Sequence, residues 1–199
     1  MQEKQDKILN EMLKLVPFDG WSDSALRTAT ANCGLAEHYE RVAFKGGVTD
    51  VIGLFHKKID AETFSRINQD ELGAMKIRDK IYHILDTRFK IMEEYKPVIR
   101  KTLQFMAMPQ NICAGTKMLW DMADKAWYAA GDKATDFNHY TKRTTLMAIY
   151  SSTLLFWLED ESDYHADTRK FLKRRIENVM QFEGLKGKIA EKMKKAGAL

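Results

Sequence analysis

The chain has 199 residues, enough to bury the core of one domain, or of one domain with a small subdomain, without a covalent staple. Its two cysteines, Cys33 and Cys113, fit neither a disulfide framework nor a metal-ligand pattern, which predicts a reducing compartment and two small buried side chains. The formal charge of +4 belongs to residues 184–199, where Lys186, Lys188, Lys192, Lys194 and Lys195 face only Glu191; the rest of the chain sums to zero, which argues against a nucleic-acid-binding body.

Strand signals are scarce, and the three prolines, Pro17, Pro97 and Pro109, fall between helically periodic segments, so the chain is read as all-α. A first helix is predicted from about Gln5 to Leu15, ended by Pro17 and Gly20. Ser22 is a suitable N-cap for a short second helix through Ala31. Gly34 breaks the chain, a third helix covers Ala36 to Ala43, and Gly46-Gly47 turns it into a fourth with Val51, Ile52, Leu54 and Phe55 as apolar positions. This is a helix-turn-helix pattern. Its third helix offers Arg41 and Lys45 opposed by Glu37 and Glu40, a poor surface for a polyanion whose binding rests on phosphate neutralisation.

A longer helix is predicted from Gly73 to Tyr95, stopped or kinked at Lys96-Pro97. Val98 to Ala107 forms another, and Pro109 starts the next, which carries Ile112, Met118, Leu119, Met122, Ala123 and Trp127. Gly131-Asp132 ends it. Thr135 or Asp136 then caps the longest helix, with Phe137, Tyr140, Thr144, Met147, Tyr150, Leu154 and Trp157 as one stripe. An acidic loop, Asp160 to Asp167, leads to a final core helix capped by Thr168 and running to about Phe182.

The segment from Trp120 to Asp160 is rich in aromatic residues and methionine, with no nucleophile–base pairing, phosphate loop or metal spacing. An ordinary helical core accounts for such a pattern. So does a lining for an apolar ligand, because methionine adapts to irregular apolar shapes. The candidate lining is Met106, Trp120, Trp127, Met147, Tyr150, Leu154 and Trp157. Beyond it, Phe182, Leu185, Ile189 and Met193 recur at helical spacing among Lys186, Lys188 and Lys192. That is either a solvated end or an amphipathic helix for an anionic membrane surface.

The acidic run Glu159, Asp160, Glu161, Asp163, His165 and Asp167 lacks the spacing and glycine of a calcium loop. No Glu-x-x-His pair of a di-iron bundle is present, and His38, His56 and His83 have no partner spacing. No catalytic residue, metal site or cofactor is expected. The N-terminus lacks the apolar core of a signal peptide, and Leu146 to Leu158 is too short to span a bilayer. A soluble or peripheral protein is expected.

Several motifs occur together in order: Val16-Pro17-Phe18-Asp19-Gly20-Trp21-Ser22, Met75-Lys76-Ile77-Arg78, Ala126-Trp127-Tyr128-Ala129-Ala130-Gly131-Asp132, Thr135-Asp136-Phe137-Asn138, Tyr140-Thr141-Lys142-Arg143, Tyr150-Ser151-Ser152-Thr153-Leu154-Leu155 and Arg174-Arg175-Ile176-Glu177-Asn178-Val179-Met180. From about Ile8 to Met180 the chain resembles the ninth coenzyme-Q-biosynthesis protein family of mitochondria and alphaproteobacteria. The resemblance implies a tetracycline-repressor-like homodimer. It would have a helix-turn-helix-like region over residues 1–58, a helical lipid-binding region over 59–182 and a basic amphipathic tail over 183–199. It further implies a non-enzymatic accessory protein that binds isoprenoid quinone intermediates and presents them to the demethoxy-ubiquinone di-iron hydroxylase. The hydroxylase-facing patch carries over to Asp136, Phe137, His139 and Tyr140. Position 139 departs from the family pattern, which often has an aromatic residue there. Without a mitochondrial presequence, the expected location is the bacterial cytoplasm at the inner membrane, or the matrix side of the inner membrane for a mature mitochondrial form. The competing class is a ligand-sensing transcription regulator of the same fold.

Overall fold

The computed structural model describes residues 1–135 and 137–179. Among them there is no strand. The helices are α1 (Gln2–Asp19), α2 (Asp23–Asn32), α3 (Tyr39–Ala43), α4 (Val48–Ser65), α5 (Gln69–Ala74), α6 (Ile77–Met92), α7 (Lys96–Met106), α8 (Ile112–Ala129), α9 (Phe137–Glu159) and α10 (166–179).

These residues fall into two compact units. The first takes residues 1–67 and 87–122, the second 68–86 and the described residues from 123 to 179, so α6 and α8 each contribute to both. The boundary expected between residues 58 and 59 falls inside the continuous helix α4. Four apolar residues of α1, Ile8, Leu9, Met12 and Val16, are fully buried in the first unit, as are Val51 and Ile52 of α4. Trp21 is anchored by its indole N–H, which donates to the Thr102 hydroxyl at 2.9 Å, and Phe55 meets Tyr95 edge-on at 5.3 Å. In the second unit, Leu72, Ile81, Ile84, Leu85, Leu146, Tyr150, Leu154, Trp157 and Leu172 are buried.

Local chemistry explains most boundaries. Ser22 caps α2, its hydroxyl accepting from the Ala25 amide at 3.1 Å. Pro17 does not end α1 as expected; it is carried inside the helix. It forfeits its own backbone bond to the carbonyl four residues back, and Gly20, at φ 68°, makes the actual stop. The predicted helix 36–43 shrinks to α3, because His38 adopts a left-handed conformation at φ 62° immediately before it. The predicted long helix from Gly73 to Tyr95 is two helices. Asn68 caps α5 by accepting from the amides of Asp70 and Glu71, and Met75 then turns extended before α6 begins. Pro97 lies at the start of α7, where its missing N–H costs nothing.

The expected stripe on α9 is only half right. Tyr150, Leu154 and Trp157 are buried, but Phe137, Tyr140 and Thr144 are exposed. In its first half the helix buries Arg143 and Leu146 instead. Thr168 does not cap the last helix through its own side chain as an acceptor. Asp160 does that work: its carboxylate accepts from the Thr168 amide at 2.8 Å, from the Thr168 hydroxyl at 2.5 Å and from the Ser162 amide at 2.8 Å. Burial pushes the Asp160 carboxyl up, but these hydrogen bonds outweigh it and hold its pKa well below the ordinary carboxylate range. Both cysteines depart from the buried reading: Cys33 is half-buried and Cys113 exposed.

Candidate functional site

The second unit contains a cavity of about 430 Å³ that is open to solvent on one side. Three of its walls are short stretches of α6, α9 and α10: Ile77, Arg78 and Ile81 from the start of α6; Asn138, Thr141, Lys142, Thr145, Leu146 and Ile149 from α9; Ile176 and Val179 from α10. The fourth is Trp127 near the end of α8, with Gly131 and Asp132 just beyond it. The α9 positions recur three or four residues apart, so they form one stripe on one face of that helix.

Charged residues brace this wall. Asp132 accepts from Lys142 Nζ at 2.6 Å and from Arg143 Nη1 at 3.0 Å, while Arg143 Nε donates to Asp124 at 2.5 Å. Arg143 also donates to the His139 carbonyl at 3.1 Å, tying the loop after α8 to the first turn of α9. Burial raises the Asp132 carboxyl, but the hydrogen bonds from Lys142 and Arg143 prevail and lower its pKa below the ordinary value. Trp127 is fixed at both faces of its chemistry: its indole N–H donates to the Lys142 carbonyl at 3.0 Å, and Lys142 Nζ stands 5.4 Å from its ring centroid. Gly131 adopts φ 91°, and a Cβ there would meet nothing, so the turn and not the space requires glycine.

Of the seven residues predicted to line an apolar site, the cavity uses Trp127. Tyr150, Leu154 and Trp157 are instead buried core of the same unit, with Trp157 completely inaccessible. Met147 is half-buried on α9 and does not line the cavity. Met106 and Trp120 belong to the first unit. Met106 has a packing role there: a Cβ on Gly115 would stand 3.2 Å from its own Cβ, so the glycine lets α8 approach α7 at this point. Sequence reasoning missed Arg78, Ile81, Ile149 and Ile176. The motifs containing Arg78 and Ile176 were visible, but nothing in the sequence joined them to Trp127.

On the surface, Phe137 is 78% exposed and Tyr140 59% exposed. His139 stands between them in sequence, its Nδ1 3.0 Å from the Ala134 carbonyl and its ring 5.2 Å from that of Tyr140. Asp136 lies outside the described residues, as do the tail positions Phe182, Leu185, Lys186, Lys188, Ile189, Lys192 and Met193. No group of His, Cys, Asp or Glu among the described residues could hold a metal ion, and no described helix is long and apolar enough to cross a membrane.

Comparison with known proteins places this cavity in a family context. The COQ9 family model matches residues 112–183, which include the Trp127 wall, α9 and α10. Residues 112–183 carry a COQ9 domain. The family resemblance expected from the motifs is thus borne out, and it extends beyond that domain. The chain is 29% identical to the human ubiquinone biosynthesis protein COQ9, mitochondrial, over 98% of its own length and 62% of the human protein. It is likewise 29% identical to the rat protein of that name, covering 98% of this chain and 64% of that one. A probable ubiquinone biosynthesis protein coq9, mitochondrial, from Dictyostelium discoideum is 26% identical over 95% of this chain and 64% of its own. The chain therefore spans less than two thirds of the length of these relatives. The crystal structure of a TetR transcriptional regulator from Nitrosomonas europaea matches with a TM-score of 0.71 at 19% identity, over 89% of this chain and 98% of the regulator. The fold is all-α and TetR-like, as expected; at that identity the likeness concerns the fold alone.

Proposed function

We propose that this protein is a non-enzymatic lipid-binding accessory protein of ubiquinone biosynthesis. In this reading it takes an isoprenoid quinone intermediate from a membrane surface and presents it to the di-iron hydroxylase that acts on demethoxy-ubiquinone. The observation that carries the reading is the cavity beside Trp127, whose volume of about 430 Å³ falls in the range of small-molecule sites and whose lining includes Ile77, Ile81, Leu146, Ile149, Ile176 and Val179. A polyprenyl chain leaves a bilayer only if an equally apolar surface receives it, since each buried CH₂ is worth about 0.8 kcal/mol. The names of the COQ9 relatives supply the pathway.

In the same reading, exposed Phe137 and Tyr140 form the docking patch for the hydroxylase, together with His139 and Asp136. Residues 183–199 hold the protein at an anionic leaflet of the bacterial inner membrane, or of the mitochondrial inner membrane on its matrix side, and the protein acts as a homodimer. Catalysis belongs to the partner.

The test is mass spectrometry of organic extracts from the purified protein. Isoprenoid lipid is expected with the wild type and a several-fold lower yield with Trp127→Ala. A folded Trp127→Ala protein with undiminished lipid would remove Trp127 from the site, and a wild type free of lipid would reject the reading. Deleting residues 184–199 is expected to abolish sedimentation with anionic liposomes.

A further inference from the structure

The cavity is not uniformly apolar, and its polar groups are ordered. Along the α9 stripe, Asn138, Thr141, Lys142 and Thr145 come first, and Leu146 and Ile149 follow. At 1.5 Å per residue the stripe is about 16 Å long, with its polar portion at the helix N-terminus. The α6 wall begins in the first turn of its helix, at Ile77 and Arg78, and continues to Ile81. Two helix N-termini therefore contribute to one cavity, and each brings partial positive charge. The C-terminal end of α8, which brings the opposite sign, is occupied by Asp132 with its two cationic partners.

The charges of the wall divide into two groups. Lys142 and Arg143 are committed to Asp132 and Asp124. Arg78 is placed differently. Its ion pair is with the next residue, Asp79, at 3.4 Å from Nε, and both side chains are about half exposed. Such a pair is weak and screened, and leaves the Nη groups available. A guanidinium at the wall of an apolar cavity is suited to bind oxygen acceptors in a forked geometry.

We infer that Arg78 is a specificity-determining residue of this cavity, which takes an amphiphile with an acidic or otherwise oxygen-rich acceptor head. The head binds Arg78 and the polar turn of α9, and the tail runs along Leu146 and Ile149. This rests on the lipid-binding reading above and adds to it the class of head and its orientation.

The test titrates delipidated full-length protein with a fluorescent long-chain fatty acid and with the primary alcohol of the same chain. The wild type is expected to bind the acid about tenfold more tightly, the worth of one charge-assisted hydrogen bond of about 1.4 kcal/mol. Arg78→Gln is expected to erase that preference by weakening the acid about tenfold more than the alcohol, and Arg78→Lys to restore part of it. Equal preference in wild type and Arg78→Gln would overturn the inference, as would no preference in the wild type. Displacement of the bound acid by equimolar acetate would also overturn it, because the site would then read an anion without a tail. Binding of neither probe to the wild type would reject the lipid-binding reading itself. Circular dichroism of each variant confirms the fold.

Discussion

Each of the two units buries an arginine, and the two are used for different ends. In the first unit Arg88, 2% exposed, pairs with Asp60 and has Nη2 3.4 Å from His56 Nδ1. In the second unit Arg143 is as deeply buried, but its carboxylate partner Asp132 is itself part of a cavity wall. A buried ion pair is a poor source of net stability, since desolvation consumes most of the attraction; its value is in fixing one arrangement. In the first unit the arrangement fixed is helix against helix. In the second it is a turn, a tryptophan and the first half of α9 held around a space.

The largest expected effect would break this comparison at its structural end. Arg88→Met leaves Asp60 buried without that partner and should cost about 3–5 kcal/mol in urea unfolding. The double variant Arg88→Met, Asp60→Leu should recover most of it, and failure to recover would mean that the pair contributes more than specificity. Arg143→Met should cost less, about 2–3 kcal/mol, because Lys142 still neutralises Asp132. It should also reduce co-purified lipid, which Arg88→Met, if folded, should not. Equal lipid loss in both would erase the distinction between the two arginines.

Trp127 and Trp157 sharpen the contrast within one unit. Trp127→Ala should cost only about 1–2 kcal/mol, since the residue is half-buried and loses one hydrogen bond and one cation–π contact. Its lipid content should nonetheless fall several-fold. Trp157 has no access to solvent, and its removal should act on stability first. Helical periodicity marked both residues as apolar and could not separate them, because it reports which face of a helix is apolar and not whether the neighbouring helices fill the space in front of it. The same limit hid Arg78, Ile81 and Ile176, which share a cavity with Trp127 only through tertiary packing. Signals local to the backbone were legible: Ser22 as a cap, Gly131 as a stop, the extent of α9. The break at Met75 was not, because residues 73–95 keep helical spacing straight through it.

Acid should act on the second unit through two carboxylates. The folded pKa values of Asp132 and Asp160 are both lowered from an ordinary value of 3.8. A group with a depressed folded pKa contributes stability that is fully present above its unfolded pKa and lost as the pH falls toward the folded one. The second unit should therefore weaken below about pH 4. Asp132→Asn should be less stable at neutral pH and show a flatter profile below pH 4, followed by tryptophan fluorescence. An unchanged acid profile would mean that the Lys142 and Arg143 contacts contribute little.

The smallest expected effect concerns the first unit's helix-turn-helix-like start. A regulator would present the third helix to duplex DNA, and its affinity would fall with salt in proportion to the phosphates it neutralises, with a logarithmic slope of about −0.9 per phosphate. Here α3 has five residues, Glu40 on it is buried, and Arg41 is exposed. Lys45 follows the helix and is exposed too. Two cations on so short an element would contribute a slope of about −2 at most. The lysines of residues 184–199 could retain the protein on duplex DNA by charge alone, so retention by itself does not separate the two functions. Arg41→Gln with Lys45→Gln does, because it alters the first unit and leaves the tail intact. The elution salt and its slope are expected to stay within error of the wild type. A fall of one or more in the slope would show that the first unit contacts phosphates, and the competing class, a regulator with a ligand cavity in its second unit, would then account for both halves of the chain.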